Sequence, residues 1–153
     1  VRLWRLSWAR FAEAAFSGQG SVDFGGRWNP EGIRMVYTST TRALAAMEFF
    51  VHMIGSQPPN EMAIIHADIP DEKGMIERVS PENLPEDWRK SYAIGQRIGA
   101  EWIASGASLA LEVPSVVVEG EWNVLLNPMH PDFVKVKIGK PEPFQYDQRM
   151  FGK

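Results

Sequence analysis

Three side chains capable of chemistry lie within the first third of the chain. Arg27 sits in Gly25-Gly26-Arg27-Trp28-Asn29-Pro30, where a glycine pair precedes an arginine and an indole, and Asn-Pro closes the turn. Glycines let a backbone approach a ligand closely, and a guanidinium grips a phosphate through two parallel N–H donors. Tyr37 follows in an apolar run, and Glu48 lies between Met47 and Phe49. Tyrosine offers a flat face with a hydroxyl at its tip. A carboxylate among apolar neighbours can orient a sugar hydroxyl or stabilise developing positive charge. Together the three suit a ligand that is anionic at one end, flat at the other and reactive between. Each also has a plainer reading: a surface arginine paired with a carboxylate, a core tyrosine, and a boundary glutamate reaching solvent. The segment has no P-loop lysine and no G-x-G-x-x-G spacing, so it is not a standard nucleotide loop.

Other candidates come later in the chain. Ser115 lacks a G-x-S-x-G setting, which argues against a hydrolase elbow. The preceding Pro114 makes a rigid bend that could aim its hydroxyl into a cleft, or it is an ordinary strand break. Asn123 and Asn127 read either as polar walls of a site or as turn formers. The three histidines, His52, His66 and His130, show neither H-x-x-x-H nor H-E-x-x-H spacing, so no metal site is expected. His52 lies one turn after Glu48, within reach of a hydrogen bond. The chain has no cysteine, which rules out disulfides, thiolate nucleophiles and iron–sulfur clusters.

These residues need elements to position them. Residues 1–5 read as a strand. Ser7 can cap a short helix through Phe16, with Trp8, Phe11, Ala12 and Ala15 on one side. Residues 17–26 form a Gly-rich loop and 34–38 a strand. Ser39, Thr40 or Thr41 caps a helix over 41–54, with Leu44, Met47, Val51 and Ile54 toward the core. A loop over 55–60 leads to a buried strand at 62–69. The proline- and acid-rich segment 70–85 reads as an exposed excursion. A long helix spans 86–104, with Trp88, Tyr92, Ile98 and Trp102 inside and Gly106 as C-cap. Strands follow at 109–113, 115–118, 122–126 and 133–138, and an extended tail closes the chain. Lys135 and Lys137 share a solvated face of the last strand. Helices and short strands mix without βαβ alternation. The expected fold is α+β, a single domain over 1–153, with a split and mostly antiparallel sheet flanked by helices.

Composition sets the outer bounds. The chain has 153 residues, 44% hydrophobic and 23% charged, enough for a core and inconsistent with disorder. A formal net charge of −3 argues against direct nucleic-acid binding, which needs a basic footprint. No signal-peptide pattern opens the chain, and no apolar run approaches the roughly 20 residues of a membrane span. A soluble, cytoplasmic protein is expected.

The ordered set of short motifs resembles the RES-domain family, named for an arginine, a glutamate and a serine. The family comprises the toxins of bacterial Xre–RES toxin–antitoxin pairs. The matching pieces begin with Leu3-Trp4-Arg5, Gly26-Arg27-Trp28-Asn29 and Val36-Tyr37-Thr38-Ser39. Ala43-Leu44-Ala45 with Glu48 and Val113-Pro114-Ser115 come next. Glu121-Trp122-Asn123, Asn127-Pro128 and His130-Pro131-Asp132-Phe133 complete the set. The resemblance implies an ADP-ribosyltransferase-like fold and NAD+ as substrate, with no prosthetic group. It implies cleavage of the nicotinamide–ribose bond by hydrolysis or phosphorolysis, or transfer of ADP-ribose to a protein. Carried over by motif, the catalytic residues are Arg27, Glu48 and Ser115, and Tyr37 matches the site tyrosine.

On that basis Arg27 holds the pyrophosphate, with Trp28 and Asn123 as further substrate contacts. Tyr37 packs on or hydrogen-bonds the nicotinamide–ribose end. Glu48 binds ribose hydroxyls and stabilises the oxocarbenium-like state, and Ser115 braces Glu48 or the ribose. Nicotinamide departs neutral and needs no general acid, so one carboxylate suffices. The resemblance also implies an Xre-type helix-turn-helix antitoxin that blocks the site. Whether the chain forms a homo-oligomer stays open. The rival classes are a non-catalytic interaction module, whose cleft only receives a partner, and a nucleic-acid-cleaving toxin.

Overall fold

In the computed structural model, which describes residues 1–53 and 59–152, alternating residues of the first strand enter two different cores. Leu3 of β1 (Arg2–Trp8) joins a cluster with Val36, Ile65 and Leu126, while Leu6 joins Met62, Ile64 and Tyr146 on the opposite face. This is the two-residue period of a strand buried on both sides. The other strands are β2 (Val36–Ser39), β3 (Met62–Asp68), β4 (Ile76–Arg78), β5 (Ala110–Pro114), β6 (Trp122–Leu126), β7 (Lys137–Ile138) and β8 (Glu142–Phe144). They lie in the order β4-β5-β6-β2-β1-β3-β7, with β8 also paired to β3. Every pairing is antiparallel except β4 with β5.

The sheet is nearly split. β1 pairs with β3 over seven residues from Arg2↔Asp68 to Trp8↔Met62, but with β2 only at Trp4↔Ser39. Two half-sheets therefore meet at one register pair, as the α+β expectation required. One face carries the cluster of Leu3, Val36, Ile65, Ala67, Leu109 and Leu126, closed by Ala15 and Phe16. The other face carries two clusters and the two longer helices, α2 (Arg42–Phe50) and α3 (Tyr92–Ser105). The short helix α1 (Gln19–Phe24) leads into the Arg27 segment. No described helix is long and apolar enough to cross a membrane.

Several local expectations are met. β6 spans the expected residues, Thr41 caps α2 by accepting from the Leu44 N–H at 3.0 Å, and Gly106 ends α3 with φ of 60°. Others are corrected. Ser7 lies in β1 and caps nothing; the turn after it is a 3-10 segment, Ala9–Ala14, and Phe11 is exposed. The Gly-rich stretch contains α1, started by Gly18 in the left-handed region. α2 stops at Phe50, and the expected Ile54 end lies outside the described residues. Leu44 is buried, but Met47 and Val51 are exposed and line a surface hollow of about 500 Å³ with Phe50, Val117 and Met150.

The supposed excursion at 70–85 supplies β4, an edge strand parallel to β5, anchored by the buried Met75. The helix expected at 86–104 begins only at Tyr92, after a 3-10 turn at Trp88–Lys90. Residues 115–118 are a bend rather than a strand. Residues 133–138 divide into a 3-10 turn, Pro131–Lys135, and β7, so Lys135 and Lys137 share no strand. The tail is not simply extended: β8 joins the sheet, and Gln148–Phe151 forms a 3-10 turn.

Candidate active site

Glu48 is held from two strands. Ser115 Oγ donates to Glu48 Oε2 at 2.7 Å, and Asn123 Nδ2 donates to the same oxygen at 2.6 Å. Ser115 is itself fixed, because its Oγ accepts the N–H groups of Val117 and Val118 at 3.1 and 3.0 Å. It is only 1% exposed. Its one hydroxyl proton goes to Glu48, so the serine braces the glutamate. Asn123 Oδ1 in turn accepts from Ser39 Oγ at 2.7 Å. Two donors on one carboxylate oxygen fix the plane of the group. Among the described residues nothing donates to the other oxygen, Oε1. Glu48 is half-buried on α2, so that oxygen is the part a ligand can address. His52 is exposed and forms no hydrogen bond to Glu48 among the described residues.

The Arg27 segment is a built loop rather than a flexible one. Tyr37 Oη accepts from the Trp28 N–H at 2.9 Å and donates to Asn29 Oδ1 at 2.7 Å. The Asn29 amide donates to the carbonyls of Ser21 at 2.9 Å, Pro30 at 3.0 Å and Ile33 at 3.1 Å. Gln96 on α3 donates to the Gly26 carbonyl at 2.9 Å. A Cβ at Gly26 would lie 2.7 Å from Tyr37 Oη. The glycine is therefore needed for its approach to Tyr37. Burial pushes the Tyr37 phenol well above its ordinary pKa, so it stays a neutral donor. Because an unfolded tyrosine ionises near pH 10, its contribution to stability is constant below that pH and falls above it.

Helix α3 lies directly against this loop. A Cβ at Gly99 would meet the Trp28 carbonyl at 1.7 Å, and one at Gly95 the Arg27 carbonyl at 2.5 Å. Two glycines one turn apart thus let helix and loop backbones touch. Gly99→Ala is expected to destabilise the protein by about 3 kcal/mol, a fall in melting temperature of roughly 6–12 °C; a thermal melt checks it. Tyr37→Phe orphans the Trp28 N–H and Asn29 Oδ1, and about 2 kcal/mol should be lost, measured by urea unfolding.

Two of the expected substrate contacts change role. Trp28 is 3% exposed and packs on Trp88 with ring centroids 5.7 Å apart, so its indole is core and presents no face to a cleft. The Asn123 amide is engaged at both ends, by Ser39 and Glu48, which makes it a holder of the carboxylate. Arg27, by contrast, is open to a ligand. Its guanidinium lies 4.6 Å from the Tyr92 ring centroid and donates to the Arg89 carbonyl at 3.3 Å. No carboxylate pairs with it among the described residues. Tyr92, expected inside, is instead the exposed platform for this cation.

The two assemblies are close. Tyr37 fastens the Arg27 loop, and Ser39 contacts the Glu48 holder. They sit two residues apart on the same face of β2, opposite Leu125 and Asn123. Their Cα atoms are therefore about 7 Å apart. Arg5, which the sequence offered as a strand residue and as part of the Leu3-Trp4-Arg5 piece but not as a site residue, lies where β1 and β2 separate. It donates to the Tyr37 carbonyl at 2.9 Å, and its Nε is sealed from solvent with no partner among the described residues. Burial lowers its pKa, but a guanidinium stays charged. The missed signal was structural: a buried cation at the split of a sheet cannot be read from alternation alone.

Known proteins resemble this chain along nearly its whole length. A family model described as the RES domain matches residues 2–147. A "Prs ADP-ribosylating toxin" of Sphingobium sp. (strain YBL2) is 38% identical, covering 98% of this chain and 96% of the relative. A "Toxin Res" of Photorhabdus laumondii subsp. laumondii is 36% identical over 97% of this chain and 96% of its own length. The crystal structure of the M. tuberculosis MbcT–MbcA toxin–antitoxin complex contains a chain with the same fold. It superposes with a TM-score of 0.69 at 15% identity, over 98% of this chain and 86% of that one.

Proposed function

The chain belongs to the RES-domain family, and from that premise we propose that it is the toxin of a bacterial toxin–antitoxin pair. It depletes NAD+ by cleaving the nicotinamide–ribose bond. The observation that carries this reading is Glu48, with one oxygen clamped by Ser115 and Asn123 and the other unengaged among the described residues. Oε1 accepts from the hydroxyls of the nicotinamide ribose, and the negative charge stabilises C1′ as positive charge develops there. The glycosidic C–N bond breaks with its electron pair going to the ring nitrogen, so nicotinamide leaves neutral. Water or phosphate then attacks C1′ through oxygen, and an attacking water gives up its proton to solvent. Arg27, which has no carboxylate partner among the described residues, binds the pyrophosphate bidentately. Arg5 adds positive charge at the sheet opening, next to the same strand.

A second reading is favoured by one observation, the name of the Sphingobium relative. In it the acceptor is a protein side chain, and the first half of the reaction is the same. NAD+ labelled in its adenylate part separates the two: transfer leaves label on a protein in cell lysate, whereas depletion leaves it only on small molecules. Release of nicotinamide by the purified protein tests the shared step. The partner is an Xre-type helix-turn-helix antitoxin that covers the cleft between Arg27 and Glu48, in the cytoplasm. A toxin that empties the NAD+ pool has to be silenced in its own host, and blocking this cleft does so most directly. Co-expression with the gene next to it, followed by co-purification and an NAD+ assay, tests this.

A further inference from the structure

We infer that Ser39 is a positioning residue for the reaction, acting through Asn123 on the carboxylate of Glu48; this rests on the functional reading just given. Ser39 ends β2 and is 3% exposed. It stands directly opposite Asn123 in the β2–β6 ladder. Its Oγ donates to Asn123 Oδ1 at 2.7 Å, and Asn123 Nδ2 donates to Glu48 Oε2 at 2.6 Å. All donors in this chain point the same way, and it ends on a negative charge, the arrangement in which each bond strengthens the next.

The start of the chain is rigid. On either side of Ser39, Thr38 Oγ1 donates to the Val124 carbonyl at 2.7 Å and Thr40 Oγ1 to that of Trp122 at 3.3 Å. These bonds pin β2 to β6 and place the Ser39 hydroxyl without its own help. Its hydroxyl is therefore dispensable for the strand pairing and available for Asn123. An asparagine amide has an acceptor end and a donor end on one rotatable bond. Glu48 selects the donor end, and Ser39 holds the acceptor end. Without Ser39 Oγ the amide is tied at one end only and can swing away from Glu48. Ser115 is then the single fixed donor on Oε2, and Oε1 loses its defined direction. A carboxylate that must meet charge only as it develops at C1′ is sensitive to such displacement, in turnover more than in substrate binding.

The test uses the full chain as wild type, Ser39→Ala, Asn123→Ala and the double variant. Ser39→Ala should lower kcat for nicotinamide release about tenfold with KM within about twofold. In the Asn123→Ala background the same change should have no further effect, because the residue it acts through is gone. An unchanged kcat, or an equal loss in both backgrounds, overturns the inference. An independent readout is the Asn123 side-chain amide in ¹⁵N NMR spectra, assigned by its absence in Asn123→Ala. Its solvent exchange should be slow in the wild type and clearly faster in Ser39→Ala, while the backbone spectrum shows the fold retained. If the wild type releases no nicotinamide at all, the functional reading falls. Ser39 is then judged on the amide alone, where unchanged exchange refutes its role.

Discussion

Replacing Glu48 by glutamine is expected to lower kcat for nicotinamide release by about 10³-fold, with KM changed only a few-fold. The reason lies in the two donors on Oε2. Facing Ser115 and Asn123, a glutamine must turn its carbonyl oxygen toward them and its NH2 group outward. The group at the Oε1 position then becomes a donor where a ribose hydroxyl needs an acceptor. The negative charge opposite C1′ disappears at the same time. Folding should be little affected, because the side-chain shape and both inward hydrogen bonds are kept. Steady-state kinetics together with a thermal melt separates loss of chemistry from loss of fold. A non-catalytic interaction module would instead keep its cellular effect in this variant.

Arg27→Ala is expected to reduce kcat/KM by roughly 10- to 100-fold, the range for losing charge-assisted hydrogen bonds to a phosphate. Most of the loss should fall on KM. The loop itself does not depend on this side chain. It is fastened by Tyr37 and Asn29 on one side and by Gln96, Gly95 and Gly99 on the other. The melting temperature should therefore stay close to wild type, as for a surface substitution. Arg27→Lys keeps the charge but loses the fork and the flat stacking surface on Tyr92, and should fall between the two. Raising the ionic strength should weaken substrate binding in the wild type and have less effect in Arg27→Ala.

Part of the clustering of the candidate side chains was legible in the sequence. Glu48 is far in the chain from Ser115 and Asn123, and the resemblance alone suggested that Glu48 and Ser115 belong together; the structure joins all three. Signals within a few residues were also readable, such as the Thr41 cap and the left-handed Gly106. What failed was the assignment of helix faces. Periodicity shows that Met47 and Val51 share a stripe, but not that the sheet covers Leu44 and leaves those two outside. Tyr92 shares the helix face of Gly95 and Gly99, but as the first residue of α3 it stays exposed and meets the Arg27 guanidinium rather than the core. That glycine pair, four residues apart, was the available clue to close backbone packing. Trp28 looked like a ligand platform because it follows Arg27, yet the tight turn between Gly26 and Asn29 sends the indole into the core against Trp88. The edge strand β4 was hidden by its proline-rich surroundings, since three residues of pairing leave little pattern.

The central claim is that this cleft breaks the nicotinamide–ribose bond of NAD+ through Glu48. The most direct measurement is incubation of the purified protein with NAD+, with and without phosphate, and identification of every product, alongside Glu48→Gln. Stoichiometric nicotinamide from the wild type and about 10³-fold less from the variant is the predicted result, with the remaining ADP-ribosyl group carried by water, phosphate or protein. No nicotinamide with any acceptor, or equal release from both proteins, would contradict it.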